Sequence, residues 1–378
     1  MGKKKERKVR VDFRKNYGSS ARPPDLTRQY QDQGQELDTQ SSQRVSGKGD
    51  RTRRRTILTT EEGDPLAATG VSVERQQDQR LGRVLRVHGL ECVVQPEGEA
   101  IHVRCAVRGV LKTLSTDQRH VVVAGDVVRF VPQGDAQGMI LSIEPRSHAL
   151  ARASKGKRHV IVANVDQLLI IVSAAEPALK PNLIDRFLAT AEQDGLEPVI
   201  VINKFDLIDP ASIQPLVGTY ARCGYSIWMV SAARGWNLDP LRQMIAQRHS
   251  VVAGQSGVGK SSLLNALIPG WKLRVQSISD DNQKGRHTTT TAEWFPLEQG
   301  GALVDTPGIR QFQLWDIIPD ELTSLFRDLR PFANRCRFPN CTHQHESDCA
   351  VKDAVADGKI DVRRYESFSH ILDDPQGE

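Results

Sequence analysis

Hydrophobic residues recur along this chain in several distinct patterns, and each pattern predicts a different kind of structure. Between residues 80 and 145, short runs rich in β-branched residues are broken by turn residues. The runs are 82–88, 91–95, 101–107, 121–123, 126–131 and 138–143. Five or so short strands at this spacing predict a small β-barrel. An OB-fold has about this size, although an SH3-like barrel would give a similar pattern.

After residue 155 the apolar runs become continuous and alternate with amphipathic stretches. Buried strands are predicted at 160–163, 167–173, 198–203, 227–231, 250–253 and 302–305, with helices at 183–194 and 261–267. This alternation predicts a mostly parallel sheet covered by helices, an α/β domain. Beyond residue 319 the strand signal stops, and a short helical segment bearing Cys and His is predicted.

Residues 1–79 show neither the two-residue period of a strand nor the period of about 3.6 residues of a helix. They also contain few aliphatic residues, so they are predicted to be disordered when free. Residues 1–55 hold 16 Lys and Arg against 7 Asp and Glu, a net charge of 16 − 7 = +9, whereas the whole chain carries +5. Basic clusters at 3–15 and 51–55 favour an arm that binds nucleic acid, because such clusters bind phosphate backbones without a fold. A solubilising tail is the alternative.

The bulk composition supports a multidomain chain. Its 378 residues suffice for two or three domains, and 39% hydrophobic with 26% charged residues is typical of a globular protein. The apolar run at 168–175 is too short to span a membrane, so we expect a cytoplasmic location without membrane contact. Three of six cysteines cluster near the C-terminus beside histidines, which favours a metal over disulfides.

The strongest chemical signal is a P-loop, the motif G-x-x-x-x-G-K-[ST]. It comprises Gly254, Gln255, Ser256, Gly257, Val258, Gly259, Lys260 and Ser261, with Ser262 following. The motif comes after a predicted strand and opens a predicted helix, as it must if backbone N–H groups are to wrap phosphates. Lys260 is predicted to reach the β- and γ-phosphates, and Ser261 to bind Mg²⁺.

Two further motifs indicate guanine. Asn203, Lys204 and Asp206 form an N-K-x-D element directly after a predicted strand. Lys204 is expected to lie along the base ring, and Asn203 is expected to hold the loop in place. The Asp206 carboxylate can accept two hydrogen bonds from guanine N1 and N2, which adenine cannot supply. Ser231 and Ala232 follow the next strand as the short S-A element, whose backbone N–H is expected to face guanine O6. These residues disfavour a P-loop ATPase or kinase.

The remaining GTPase elements follow the P-loop. Asp305 begins D-x-x-G and is predicted to hold Mg²⁺ through water, and the Gly308 N–H is predicted to sense the γ-phosphate. Four threonines at 288–291 occupy the place of switch I. Thr289 is predicted to bind Mg²⁺ when GTP is bound, with Thr290 as the alternative.

The order of these motifs differs from that of ordinary GTPases. An ordinary GTPase begins with the P-loop and ends with N-K-x-D and S-A, whereas here N-K-x-D and S-A come first. The core is therefore predicted to be circularly permuted. A permuted core can work if the sheet brings the same loops together.

A cysteine and histidine cluster follows the permuted core. Cys336, Cys341, His343 and Cys349 provide three thiolates and one imidazole, a closed tetrahedral set that predicts one structural Zn²⁺. His345 is a competing ligand.

Together these features resemble the ribosome small-subunit-dependent GTPase A family over residues 80–372. The motifs that carry the resemblance are the permuted order and residues 163–167, 184–186, 254–261, 285–290, 305–308 and the Cys/His set. The resemblance implies an OB-fold at 80–148, a permuted GTPase domain at 149–318 and a zinc-binding helical domain at 319–378. It also implies late maturation of the small ribosomal subunit, contact with 16S-type rRNA and hydrolysis stimulated by that subunit. The extension at 1–79 is longer than the family's usual start, so the resemblance assigns it no role.

The position that often holds a water-orienting Gln carries Ile309, which offers no hydrogen bond. His287 is the nearest candidate in the chain to position the water, and a ribosomal group is the alternative. The predicted reaction converts GTP and water to GDP and phosphate, and nothing in the sequence requires more than a monomer. The alternative function is a nucleotide-gated RNA-binding module with incidental turnover.

Overall fold

The structure is a computed structural model of the 378-residue chain. It describes residues 7–11, 55–59, 79–89, 91–108, 121–134, 136–154, 157–268, 292–306 and 319–374. Within these ranges it gives the backbone alone for 7–11, 55–59, 152–154, 157–158 and 319–320.

Five strands form the predicted barrel. They are β3 (Arg80–His88), β4 (Glu91–Pro96), β5 (Val103–Val107), β6 (Val127–Pro132) and β7 (Gln137–Ile143). Their order is β3-β4-β5-β7-β6, and β6 pairs again with β3, which closes the barrel. Every pair is antiparallel except β5 with β7. This closed Greek-key order is that of an OB-fold and excludes the SH3-like alternative.

The strand predicted at 121–123 is wrong. This segment is irregular and leads into a turn at Gly125, although Val122 and Val123 are buried in the barrel core. The Val123 N–H donates to the buried Asp126 carboxylate at 2.8 Å instead of to a neighbouring strand. Burial without strand pairing explains why the apolar pattern was misleading.

A second sheet follows two connecting strands, β8 (Ala149–Ser154) and β9 (Lys157–Ala163), which pair with each other. Its strands are β10 (Gln167–Ser173), β11 (Glu197–Asn203), β12 (Ser226–Met229), β13 (His249–Ala253), β14 (Glu293–Pro296) and β15 (Ala302–Asp305). The order is β12-β11-β10-β13-β15-β14, and only the edge strand β14 is antiparallel. The sequence pattern did not predict β8 or β14.

Helices cover both faces of this sheet. They are α1 (Pro181–Gln193), α2 (Gln214–Arg222), α3 (Leu238–Ile245) and α4 (Lys260–Leu267), with 3₁₀ turns at Phe205–Leu207 and Pro210–Ile213. Every residue of β10 is buried. Leu168 and Ile170 pack against the core that includes α1 and α2, whereas Leu169 and Ile171 pack against α3 and α4. Coverage of both faces explains the uninterrupted apolar run in the sequence.

The barrel and this sheet are joined edge to edge. Strand β14 pairs with β3 through Glu293 and Arg86, whose side chains form an ion pair at 3.0 Å. The Arg83 guanidinium lies over the Trp294 ring, 4.7 Å from its centroid. The strand between the two predicted switch segments therefore contacts the barrel directly.

The C-terminal segment is helical, as predicted, with α5 (Pro319–Leu325), α6 (Arg330–Ala333), α7 (Ala350–Ala356) and α8 (Val362–Asp373). Arg364 of α8 is only 2% exposed and binds Asp328 and Asp185, the latter in α1, at 2.7 and 2.6 Å. Burial lowers the pKa of Arg364, but the two carboxylates outweigh it and the pKa is raised well above its usual range. A permanently charged arginine therefore ties this segment to the α/β domain.

The N-terminal extension contains two short strands that its sequence did not predict. β1 (Arg7–Val11) pairs antiparallel with β2 (Arg55–Thr59). The disorder predicted for the rest of the extension concerns residues outside those described. Among the described residues, no helix has the length and apolar character needed to cross a membrane.

We expect Arg364→Leu to lower the free energy of unfolding by about 3–5 kcal/mol, because two carboxylates would lose their buried partner. Urea unfolding followed by far-ultraviolet circular dichroism measures the change. The neighbouring Arg363 is the control, since its side chain is 43% exposed and pairs at the surface with Asp361. Arg363→Ala should cost about 1 kcal/mol or less. Equal effects of the two variants would contradict the role given to Arg364.

Candidate functional site

The predicted nucleotide-binding motifs converge at the carboxyl edge of the α/β sheet. β10, β11, β12, β13 and β15 run parallel, so their carboxyl ends lie at the same edge. N-K-x-D follows β11, S-A follows β12, the P-loop follows β13 and D-x-x-G follows β15. Ligands of open α/β sheets bind at this edge, where the connections leave the strands.

The P-loop joins β13 to α4 and needs glycine at two positions. Gly254 has a φ of 148°, and a Cβ there would lie 2.1 Å from the Ile171 carbonyl oxygen. Gly259 has a φ of 86°, and a Cβ there would lie 2.5 Å from the Asn203 side-chain nitrogen. Any side chain at these two positions would push the loop away from the strands beneath it.

Asn203 of the N-K-x-D element contacts both the P-loop and the S-A element. Its side chain is buried, and Nδ2 donates to the Val258 carbonyl at 3.0 Å. Its Oδ1 accepts the Ala232 N–H at 3.1 Å. Ser231 is also buried and its Oγ accepts the Arg234 N–H. Asn203 therefore contacts both neighbouring motifs, the P-loop and S-A.

Lys204 and Asp206 lie beside this junction. Lys204 adopts a left-handed backbone conformation with φ 62°, and Nζ donates to the Gly257 carbonyl at 2.8 Å and the Glu176 carbonyl at 2.5 Å. Asp206 lies in the 3₁₀ turn that follows and is half-buried. A carboxylate held on a short turn next to the P-loop suits recognition of a guanine edge.

Lys260, Ser261 and Asp305 are the described residues that the sequence predicts to bind the phosphates and Mg²⁺. Lys260 Nζ donates to the Gly254 and Gln255 carbonyls, so the ammonium lies over its own loop. Ser261 is in the first turn of α4, where free backbone N–H groups favour an anion. Asp305 ends β15, the parallel neighbour of β13. The next residue, Thr306, donates to the Val252 carbonyl at 3.2 Å.

The remaining predicted residues of this site, His287, Thr289 and Gly308, lie outside the described residues, as does the alternative Thr290. Ser256 lies in the P-loop and is exposed, and Ser262 lies in the first turn of α4 and is half-buried.

The four predicted metal ligands come together in the C-terminal segment. Ligand atoms of Cys336, Cys341, His343 and Cys349 all lie within 4.8 Å of one another. Cys336 Sγ lies 3.8 Å from Cys349 Sγ, and these sulfurs lie 3.4 and 3.5 Å from His343 Nδ1. Tetrahedral Zn²⁺ would place its sulfurs about 3.8 Å apart and a sulfur and nitrogen about 3.6 Å apart. The set therefore can hold a metal ion.

Burial and position favour His343 over His345 as the fourth metal ligand. His343 is buried, and burial lowers the pKa of its imidazole, which keeps a neutral nitrogen available to a metal. His345 is 80% exposed and lies outside the cluster. Burial raises the pKa of the Cys341 thiol to about 12, so metal binding must release thiol protons.

Two features at the guanine end were missed by the sequence analysis. The loop after β10 brings the Glu176 carbonyl to Lys204. Trp236 lies against Phe205, with ring centroids 5.5 Å apart, and is half exposed. A backbone carbonyl leaves no residue signature, whereas the aromatic pair lies close to known motifs and could have been noticed.

The motifs, their order and their common edge define a P-loop GTPase with a circularly permuted core. Residues 143–315 match the family model described as RsgA GTPase. The small ribosomal subunit biogenesis GTPase RsgA of Chromohalobacter salexigens is 39% identical over 301 residues, 78% of this chain and 86% of that protein. The chain belongs to the RsgA family of GTPases, and it is accordingly a GTP hydrolase.

Further relatives agree with this assignment. The Gemmatimonas aurantiaca RsgA is 43% identical over 241 residues, 63% of this chain and 78% of that protein. Among solved structures, YjeQ from Thermotoga maritima has a TM-score of 0.65 at 33% identity, covering 79% of this chain and 99% of its own. YloQ, a circularly permuted GTPase, has a TM-score of 0.62 at 27% identity, covering 79% and 96%. The permuted order predicted from the motifs is confirmed.

We expect Asp206→Asn to weaken GTP binding roughly 100-fold, because an amide cannot accept both guanine hydrogen bonds, and to favour xanthosine triphosphate, whose 2-oxo group accepts from an amide. Titration with fluorescent nucleotides measures both affinities. Asp209→Asn is the matched control, because Asp209 is exposed and its side chain caps the 3₁₀ turn at Pro210–Ile213. An unchanged preference for GTP in Asp206→Asn would remove Asp206 from the site.

Proposed function

We propose that this GTPase binds the small ribosomal subunit through its 16S-type rRNA and acts in the late maturation of that subunit. The subunit stimulates hydrolysis of GTP to GDP and phosphate. Family membership supports the process, because the curated relatives carry small ribosomal subunit biogenesis in their names. We also propose a cytoplasmic monomer with domains at 80–148, 149–318 and 319–378.

One observation carries the proposed stimulation. β14 lies in the chain between the segment predicted as switch I and D-x-x-G. It pairs with β15 on one side and with barrel strand β3 on the other. The ion pair of Glu293 with Arg86 and the contact of Arg83 with Trp294 strengthen this junction. OB-type barrels can bind RNA. This barrel contacts β14, the strand between the two predicted switch segments, through these two side-chain contacts. Binding at the barrel can therefore bias the catalytic segments.

The proposed chemistry places charge stabilisation in the P-loop. Lys260 and the backbone N–H groups of residues 254–262 bind the phosphates, and the Gly308 N–H contacts the γ-phosphate. Ser261 and Thr289 are the proposed Mg²⁺ ligands, with Asp305 holding the ion through water, and the ion would supply charge neutralisation at the phosphates. His287 positions the attacking water, because Ile309 offers no hydrogen bond.

The metal in the C-terminal cluster is proposed to be Zn²⁺. Three thiolates and one imidazole form a soft, closed donor set of the kind that structural zinc prefers, with no position left for a substrate. The cluster lies next to the core of the C-terminal segment, where Cys336 and Cys341 pack and Cys349 is buried. Zinc is therefore proposed to stabilise this segment and to take no part in hydrolysis.

We expect purified small subunits to raise the turnover number of the wild-type protein, with Lys260→Ala inactive in either condition. His287→Ala should retain GTP affinity and subunit binding but lose most of the stimulated turnover. His345→Ala, a change at an exposed histidine, is the control. Phosphate release with and without subunits measures all variants.

Two results of that assay would contradict the proposal. Turnover that subunits do not change would favour the nucleotide-gated RNA-binding module. Full stimulation of His287→Ala would assign the water to another group, a ribosomal one being the alternative.

Elemental analysis should find one zinc per chain. Cys341→Ser should lose the metal and lower the melting temperature, because folding of the segment is coupled to metal binding. Cys223→Ser is the control, since Cys223 lies outside the metal cluster. Zinc-free protein, or a Cys341→Ser variant that melts like the wild type, would refute the assignment.

Deletion of residues 1–55 should weaken binding to small subunits and flatten its salt dependence, because a net charge of +9 is removed. The logarithm of the binding constant measured against the logarithm of salt concentration gives the slope. An identical slope would show that the extension does not contact RNA.

A further inference from the structure

The loop that follows β10 runs along the predicted guanine site. β10 ends at Ser173, which lies opposite Asn203 of β11 in the parallel register. The Ala174 N–H donates to the Asn203 carbonyl at 2.8 Å, so the chain leaves β10 beside the N-K-x-D element. No recognised motif includes this loop.

The loop touches the guanine site through a carbonyl. The Glu176 carbonyl accepts Lys204 Nζ at 2.5 Å, and the Gly257 carbonyl of the P-loop accepts the same ammonium at 2.8 Å. Pro177 is also near the P-loop, since a Cβ on Gly257 would lie 3.5 Å from Pro177 Cδ. The ammonium is thus held between two segments, which fixes the Lys204 stem where the base is expected to lie.

Ser173 in turn fixes that carbonyl. Its side chain is 1% exposed, and its hydroxyl donates to the Glu176 carbonyl at 2.9 Å. The same Oγ accepts the Ala175 N–H at 3.2 Å. These two hydrogen bonds close a tight turn, and the turn orients the Glu176 carbonyl toward Lys204.

The far end of the loop is fixed as well. It leads into α1, where the Pro181 carbonyl accepts the Tyr220 hydroxyl at 3.3 Å. Asn182 Oδ1 accepts the Ser367 hydroxyl of α8 at 2.7 Å. The first turn of α1 is thus anchored, and within the loop the Ser173 hydroxyl is the side-chain group that holds the Glu176 carbonyl beside Lys204.

We infer that Ser173 is a positioning residue for nucleotide binding, which acts on Lys204 through the Glu176 carbonyl. The loop at 173–177 then lines the guanine site together with the N-K-x-D element and the P-loop. The inference rests on the proposed GTPase function and on the predicted position of the Lys204 side chain along the guanine ring. Substrate contacts the lysine, and the serine contributes through it.

Loss of one hydrogen bond to a charged network predicts that Ser173→Ala raises the dissociation constants of GTP and GDP alike, about fivefold to tenfold. The turnover number at saturating GTP should stay unchanged, because the interaction is present before and during hydrolysis. Ser173→Cys should lose as much affinity as Ser173→Ala, since a thiol fills the space but donates weakly. Fluorescent nucleotide titration and steady-state kinetics measure these values.

A double-mutant cycle with Lys204→Met gives the decisive result. If the serine acts through the lysine, Ser173→Ala should change affinity little in the Lys204→Met background. Additive losses, or wild-type affinity in Ser173→Cys, would overturn the inference and leave a packing role. Normal affinity of Lys204→Met alone would overturn both the inference and the assignment of Lys204 to the base. All these titrations omit ribosomes, so their outcome is independent of the proposed partner.

Discussion

The side-chain amide of Asn203 is buried where three segments of the nucleotide site meet. Its Nδ2 donates to Val258 in the P-loop, and its Oδ1 accepts the Ala232 N–H of the S-A element, 55 and 29 positions away in the chain. The backbone of Gly259 passes so close that a Cβ would clash with this amide. Because a buried amide without partners costs about 1–3 kcal/mol per group, the three loops keep one relative arrangement. The predicted Lys204 and Asp206 contacts depend on that arrangement.

The parallel sheet explains why the permuted order can work. Each motif follows a strand whose carboxyl end lies at the same edge, so the sequence of motifs along the chain does not alter their meeting point. Permutation does change what the core is attached to. β14 pairs with the barrel, while the C-terminal segment is tied to α1 by the buried ion pair of Arg364 with Asp185. The α/β domain thus contacts the barrel through β14 and the C-terminal segment through α1.

Residue patterns were enough to predict the features that depend on residue type. The P-loop, N-K-x-D and the strand at 167–173 were predicted because the P-loop glycines, the charged residues of N-K-x-D and the apolar run at 168–172 leave clear signatures. The pattern failed where a buried apolar residue does not belong to a strand, as at Val123, whose N–H donates to Asp126. It also missed β14, in which Trp294 and Phe295 are flanked by Glu293 and Pro296, so that no apolar run appears. The loop after β10 could not have been found, since its contribution is a backbone carbonyl that any residue supplies.

The central claim is that these loops assemble a site that reads guanine. Competition between ATP, GTP and a fluorescent guanosine diphosphate for the wild-type protein tests it most directly. The account predicts that GTP displaces the probe at concentrations near its own dissociation constant, whereas ATP fails to do so at a roughly thousandfold higher concentration, because adenine leaves the Asp206 carboxylate unpaired. Displacement by ATP and GTP at similar concentrations would contradict the account.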